Sequence, residues 1–195
     1  NALAVANHPD LSQPWTLEEL TGIQGIWAME VFNGHGYRSF SERDPEMARV
    51  LFGKRILWDQ VLAEGRRLWG VAVDDAHRYE SGWYDQGWIE VPLTEVTVEA
   101  LRAALEAGDF YACRGPAGRA PKLEVHVEGA RLTARAQDAA ELRLIADGVL
   151  RRSVRGRTLE WTATGEEIFL RVEAADPNEP LSVTDSQPVW VVRPT

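Results

Sequence analysis

The first part of the chain, up to about Gly115, alternates short apolar runs with helical patterns. This alternation is typical of β/α units built on a parallel sheet. Three apolar runs are the predicted strands, at residues 3–7, 26–32 and 68–73. Each run ends at polar residues, which are His8 after the first, Asn33 after the second, and Asp74 with Asp75 after the third.

Helix signals lie between and after these predicted strands. Thr16 and Glu19 form a capping-box pattern, which predicts a short helix after residue 16. Thr97 is the predicted N-cap of a helix over residues 98–107, and Gly108 is the predicted end of that helix. Between the second and third strands, the helical pattern places apolar residues on one face: Met47, Val50, Leu51, Trp58, Val61 and Leu62.

The pattern changes period after the breaker-rich stretch at residues 114–118. Beyond it, apolar and polar residues alternate in six or seven short segments between residues 123 and 192. This is typical of a two-sheet sandwich. The predicted fold is therefore α/β, with residues 1–116 in an α/β domain and residues 117–195 in an immunoglobulin-like β-sandwich.

Charge and composition narrow the possible partners. The chain has 195 residues, a net charge of -9 and a pI near 5.0. This acidic balance leaves no basic stripe to neutralise a phosphate backbone, so we expect neither nucleic acid nor an anionic membrane as the main partner. With Cys113 as the only cysteine and no long apolar run, we expect a soluble chain without an internal disulfide. Localisation stays open between the cytoplasm and secretion.

The strand ends carry the candidate chemistry. In parallel α/β folds, functional side chains lie just beyond the carboxyl ends of strands. This rule selects His8, Asn33, Asp75 and His77. Imidazole and carboxylate groups are suitable ligands for Zn, Mn or Fe. The same residues also have structural interpretations, since His8 could belong to a turn, and Asp74 and Asp75 could cap one and leave His77 on the surface.

Three other ionisable residues have simpler interpretations. Glu30 lies inside an apolar strand, where a structural ion pair explains it as well as catalysis does. His35 is flanked by two glycines and is expected in a loop. His126 falls on the polar face of its predicted strand and is expected to be exposed to solvent.

Four segments in the first part of the chain resemble the polymerase and histidinol phosphatase (PHP) family. They are AVANHP, MEVFNG, WDQVLAEGRRLWGVAVDDAH and TVEALRAALEAGDFYACRGP, in that order, within residues 3–116. The resemblance is to the C-terminal half of the branch in which the PHP domain precedes a β-sandwich. The late segments IFLRVEAAD and SQPVWV resemble the end of that sandwich.

The resemblance implies a distorted β/α barrel that hydrolyses a small phosphoester with divalent Zn, Mn or Fe. It implies that His8, Asp75 and His77 are metal ligands and that Asp75 and His77 belong to the catalytic centre. Asn33 is expected to contact either the substrate or a residue of the metal site. It also implies metal-activated water as the nucleophile.

The chain also departs from the family pattern. The opening His-x-His motif of the family has no counterpart here, so the resemblance implies a partial barrel and a fragment of the metal site. We therefore expect doubtful metal occupancy and little hydrolysis by this chain alone. For the open barrel edge we expect either a second copy that covers it or a chain that is a cleaved or truncated product. The alternative is a non-catalytic binding or assembly module on a degenerate scaffold.

Overall fold

The computed structural model describes residues 2–9, 14–41, 43–44, 56–78, 84–179 and 181–192. The elements of these residues, in chain order, are β1 (Ala4–Ala6), α1 (Leu17–Gly22), β2 (Ile26–Asn33), α2 (Gly34–Ser41), α3 (Ile56–Ala63), β3 (Trp69–Val73), β4 (Gly87–Glu90), α4 (Val98–Ala107), β5 (Tyr111–Arg114), a 3-10 turn (Pro116–Gly118), β6 (Leu123–Glu128), β7 (Arg131–Ala146), β8 (Val149–Thr162), β9 (Phe169–Ala175), β10 (Val183–Ser186) and β11 (Val189–Trp190). The predicted helical positions Met47, Val50 and Leu51 lie outside the described residues.

The predicted fold class, a partial PHP-type β/α barrel followed by a β-sandwich, is wrong. The protein is mostly β, with 43% strand and 20% helix, and its main feature is one curled antiparallel sheet in the form of a half-barrel. Only β1, β2 and β3 pair in parallel among the described strands. The remaining strands, β4 to β11, form a single sheet of eight described strands with the path β4-β5-β10-β9-β7-β6.

Strands β4 and β5 account for much of this error. Both lie within residues 1–116, the predicted α/β domain, but β4 and β5 pair antiparallel with each other, and β5 pairs antiparallel with β10. The periodicity of a short strand does not encode the direction of its neighbour. The predicted division at residues 116 and 117 therefore falls inside one continuous sheet, between β5 and β6, and the two-domain division itself stays a prediction.

The three-stranded parallel sheet carries helices on both faces. On one face, Leu20 of α1 and Val61 of α3 pack against Met29 of β2. On the other face, Leu105 of α4 and Phe110, which directly precedes β5, pack against Val71 of β3. Burial on both faces agrees with the continuous apolar runs of these strands, as expected for parallel strands.

Three predicted helix boundaries are confirmed by their capping geometry. Thr16 and Glu19 form the predicted capping box, in which Thr16 Oγ1 accepts from the Glu19 backbone N–H at 3.1 Å and Glu19 Oε2 accepts from Thr16 N at 2.8 Å. Thr97 caps α4 by accepting from Ala100 N at 3.1 Å. Gly108 ends α4 in the left-handed conformation, at φ 79°.

The core of the large sheet lies on one side of β6, β7, β8 and β9. Alternate residues of the long strand β7 supply Leu132, Ala134, Leu142 and Leu144, all of which are buried. The strands that neighbour β7 complete the cluster with Leu123, Leu159, Leu170, Val172 and Ala174. The period-2 alternation read from the sequence therefore locates this core correctly.

The two sheets meet along the outer edge of β3. The side-chain amide of Gln187 accepts from Gly70 N and donates to Gly70 O, both at 2.8 Å, as a neighbouring strand would. Gly87 approaches the same strand so closely that a Cβ atom there would lie 2.6 Å from Val73 O. Part of the open edge of the parallel sheet is thus covered by the protein's own residues, and the predicted second copy stays a prediction.

A buried charge cluster joins α3 to the large sheet. Arg171 on β9 donates to both carboxylate oxygens of Asp59, at 2.6 and 2.8 Å, and also contacts Glu173 at 2.8 Å and Asp185 at 3.2 Å. Its guanidinium lies 5.3 Å from the ring centroid of Trp58. Burial lowers the pKa of Arg171, but the carboxylates outweigh it and raise that pKa, so the side chain stays charged.

None of the helices in the described ranges is both long and apolar enough to cross a bilayer.

Candidate functional site

The four predicted site residues follow the carboxyl ends of the three parallel strands. His8 lies two residues after β1, and Asn33 is the last residue of β2. Asp75 and His77 lie just after β3. Because parallel strands present their carboxyl ends at one edge, these positions share one end of the sheet, as the sequence predicts.

Asn33 links the strand ends through a defined hydrogen-bond pattern. Its Oδ1 accepts from Gly36 N at 2.7 Å, which caps the start of α2. This contact fixes the side-chain amide so that Nδ2 faces two carboxylates. Nδ2 donates to Glu30 Oε2 at 2.9 Å and to Asp75 Oδ2 at 3.1 Å. Asn33 is therefore a buried bridge between β2 and the loop after β3.

Glu30 connects the same pattern to β1. Its Oε2 accepts from His8 N at 2.8 Å as well as from Asn33. The Glu30 side chain is buried, so both hydrogen bonds offset the cost of removing a carboxylate from water. Glu30 is thus a hydrogen-bond acceptor that holds the backbone at His8, which differs from the structural ion pair considered from the sequence.

Asp75 and His77 lie at the solvent-facing side of this network. His77 Nε2 is 3.8 Å from Asp75 Oδ1, and the side chains are 63% and 30% exposed. The ring of His35 contacts the ring of His77 edge-on, with centroids 4.8 Å apart. His35 belongs to α2, and its backbone N–H donates to Asp74 O at 3.0 Å, so it does not lie in the predicted loop.

Asp74 has a different hydrogen-bonding role from Asp75. Its carboxylate accepts three backbone N–H groups, from Asp85 at 2.9 Å, Gln86 at 2.7 Å and Gly87 at 2.9 Å. These contacts bind the loop after β3 to the start of β4. The turn-capping interpretation therefore holds for Asp74. The Asp75 carboxylate instead accepts a hydrogen bond from Asn33.

Two of the candidate residues have left-handed backbone conformations. His8 has φ 30° and Asp75 has φ 52°. Residues other than glycine rarely adopt positive φ, and such conformations persist only where the surroundings determine them. Here, the hydrogen bonds from His8 N to Glu30 and from Asn33 to Asp75 hold the two residues in these conformations.

The candidate ligands were tested against the needs of a divalent metal. His8 and His77 offer imidazole nitrogens and Asp75 offers a carboxylate, which are suitable donor types. However, a metal site needs three or four protein ligands, and no group of three or more His, Cys, Asp or Glu in the described ranges is arranged to hold one. The described residues alone therefore do not fit a bound divalent ion.

Sequence reasoning found the strand ends but missed how they are connected. The position of Asn33 directly before Gly34 at a strand-to-helix turn could have predicted its capping contact. The link from Glu30 to Asn33 and His8 depends on burial and strand register, which the sequence does not show. As predicted, His126 lies away from this site on the exposed face of β6.

Comparison with models of known protein families, with curated proteins and with solved structures found no match to this chain.

Proposed function

We propose that the carboxyl ends of β1, β2 and β3 form part of a site that hydrolyses a small phosphoester. The observation that supports this proposal is the continuous hydrogen-bonded chain from His8 N through Glu30 and Asn33 to Asp75. It holds one residue from each strand end at the same rim, with His77 next to Asp75. The resemblance to the PHP family adds the reaction class.

The roles of these residues follow from their contacts. Asn33 orients the Asp75 carboxylate, and Asp75 in turn faces the imidazole of His77 at 3.8 Å. A carboxylate beside an imidazole orients the ring. His77 is exposed, so it can reach a small ligand that approaches from solvent. Asn33 is buried, and its proposed contact with substrate therefore passes through Asp75.

Divalent-metal chemistry would require ligands beyond those that the structure describes. Because the described side chains do not form a complete ligand set, we derive no catalytic step through a metal. This is why the proposal concerns part of a site, with weak metal affinity and little turnover for the chain by itself.

The test is a comparison of four forms of the 195-residue chain. Wild type, His77→Ala, Asp75→Asn and His126→Ala would be titrated with Zn²⁺ and Mn²⁺ by calorimetry, and assayed with bis-(p-nitrophenyl) phosphate. We expect weak metal binding by wild type that His77→Ala and Asp75→Asn abolish. His126→Ala is the matched control, because it removes an exposed imidazole from a distant strand, and it should bind as wild type does.

Two outcomes would contradict the proposal. Tight, stoichiometric metal binding with steady turnover by wild type would show a complete site. Equal metal binding by wild type and His77→Ala would show that the candidate residues do not act together.

A second candidate function, a non-catalytic binding or assembly module, is favoured by one specific observation. The described residues lack a group of three or more metal-ligand side chains. On this alternative, the network from His8 to Asp75 only holds the strand ends together. Unchanged metal binding in every variant, combined with loss of stability in Asp75→Asn, would support it.

A further inference from the structure

Strand β8 is an edge strand of unusual length. It covers Val149–Thr162 and pairs with β7 over nearly all of that range. Within the part of the chain that the structure describes, β7 is its one neighbour. A strand of about fourteen residues spans roughly 46 Å, and one side of its backbone faces no described strand. Such an edge can accept a further strand.

The same strand contains a concentration of arginine in an acidic protein. Residues 149–158 include Arg151, Arg152, Arg155 and Arg157 and no acidic residue, although the whole chain has a net charge of -9. All four arginines are exposed. The overall charge, which argued against a basic stripe, conceals this local positive segment.

Pairing with β7 places these arginines along the strand. Arg155 lies opposite Glu141 and shares a face with Ser153, on the side of the sheet away from the leucine core of β7. Arg151 and Arg157 lie at the two register shifts of the β7–β8 pair, where the alternation of faces is interrupted. From Arg151 to Arg157 the strand runs about 20 Å. The cations are therefore spread along one exposed edge strand.

Acidic residues near this face already have partners. Glu141, opposite Arg155, forms an ion pair with Arg143 at 2.9 Å, and Glu160 forms one with Arg131 at 2.8 Å. The side-chain hydrogen bond from Arg143 lowers the pKa of Glu141, and the charge of Arg155 adds a smaller contribution. No described carboxylate forms an ion pair with Arg151 or Arg157. Their charge is available to an incoming ligand.

We propose that β8 binds an extended acidic peptide segment by strand addition. The unpaired backbone edge would supply main-chain hydrogen bonds, and Arg151, Arg155 and Arg157 would pair with acidic side chains of the added strand. A protein segment fits better than a nucleic acid, because a polyanion cannot use the backbone edge and the protein's net charge opposes it. This inference is independent of the proposed phosphoester site.

The test uses a fluorescein-labelled peptide of about ten residues in which Glu and Val alternate, with both ends blocked. Fluorescence anisotropy would measure its binding to wild type and to the double variant Arg151→Glu/Arg155→Glu. The control variant, Arg102→Glu/Arg119→Glu, makes the same change in net charge away from β8. We expect the β8 variant to weaken binding at least about tenfold and the control to change it less than about twofold.

A second peptide separates strand addition from simple charge attraction. It has the same sequence with alternate backbone nitrogens methylated, which keeps the charge and removes the hydrogen bonds. We expect it to bind at least about tenfold more weakly than the parent peptide.

Equal binding of the methylated and parent peptides would overturn strand addition. So would tighter binding of a single-stranded DNA oligonucleotide. Failure of the parent peptide to bind at millimolar concentration would show that the arginines only protect the edge from aggregation. Circular dichroism of each variant checks that the sheet is intact.

Discussion

The two sheets of this protein handle buried polar groups in opposite ways. The parallel sheet places its polar residues at one end, where Glu30 and Asn33 satisfy backbone and side-chain partners beside solvent. The antiparallel sheet places a full positive charge, Arg171, inside and surrounds it with three carboxylates. The first arrangement ends in the exposed imidazole of His77, whereas the second encloses its cation beside a cavity that Asp59, Arg143 and Glu173 also line.

This difference separates a candidate site from a structural device. Both clusters contain charged residues and short hydrogen bonds, so these features alone do not distinguish them. What distinguishes them is accessibility, since His77 is 63% exposed whereas the Arg171 side chain is 2% exposed. A cluster whose cation is enclosed joins elements, while a cluster that ends in an exposed imidazole can contact a ligand.

The largest effect is expected from Arg171→Met. This change would remove the buried cation that Asp59, Glu173 and Asp185 all contact, and should reduce the free energy of unfolding by about 3–5 kcal/mol. Urea denaturation measures it. The control, Arg131→Met, removes an exposed arginine that pairs with Glu160 and should cost at most about 1 kcal/mol. Similar losses of stability in both variants would show that the buried cluster does not hold α3 against the large sheet.

The next effect concerns the contact between the two sheets. Gly87→Ala would place a methyl group 2.6 Å from Val73 O and 2.8 Å from Phe32, so one sheet must shift. We expect a loss of about 2–3 kcal/mol in the same assay. Gly22→Ala is the matched control, because a Cβ there meets nothing within 4 Å, and it should be neutral or slightly stabilising. No loss in Gly87→Ala would mean that the sheets are not in close contact.

A smaller effect tests the rim of the parallel sheet. Asn33→Ala removes the bridge between Glu30 and Asp75 and the cap of α2, and should cost about 1–2 kcal/mol. Asn178→Ala, at an exposed turn, should change the free energy of unfolding by less than about 0.5 kcal/mol. If the two substitutions were equivalent, the strand ends would not be held together through Asn33.

The smallest effect is a pH dependence in the large sheet. Burial, together with the nearby charge of Glu90, raises the pKa of the Cys113 thiol to about 12 from a usual value of 9.0. The unfolded chain therefore releases this proton first as the pH rises, so stability falls from about pH 9 upwards and the loss is complete near pH 12.

The difference between wild type and Cys113→Ala isolates that contribution. Between about pH 8 and pH 10, wild type should lose about 1 kcal/mol more than the variant. In addition, native protein at neutral pH should resist alkylation by iodoacetamide until it is unfolded. Rapid alkylation of the native thiol would contradict its burial.

Local structure was largely predictable from the sequence, but pairing was not. The capping box at Thr16 and Glu19 and the helix between Thr97 and Gly108 were found because their signals lie within a few residues. The alternation at Leu142 and Leu144 likewise gave the core face of β7. The direction of β4 and β5 depends on contact with β10, about 70 residues further on, and no local pattern reports it.

The candidate site shows the same limit. The positions of His8, Asn33, Asp75 and His77 after strands were predictable because strand ends are marked by the change from apolar to polar residues. The different roles of Asp74 and Asp75 could not be predicted from the sequence. The two side chains are identical and adjacent, and they differ only in the hydrogen-bond partners that the fold places beside them. Arg171 was also missed, because its three acidic partners are spread from position 59 to position 185.

The short strand β1 affects the fraction of time for which the carboxyl ends of β1, β2 and β3 lie together. It contains three residues and pairs with β2 on one side only among the described strands. Strands of this kind open by local fluctuation well before the whole protein unfolds, and their amide protons exchange early. Each opening would release His8 from Glu30 while Asp75 and His77 stay in place. The proposed site would therefore alternate between a three-strand and a two-strand form, and a ligand that contacts His8 would slow amide exchange in β1.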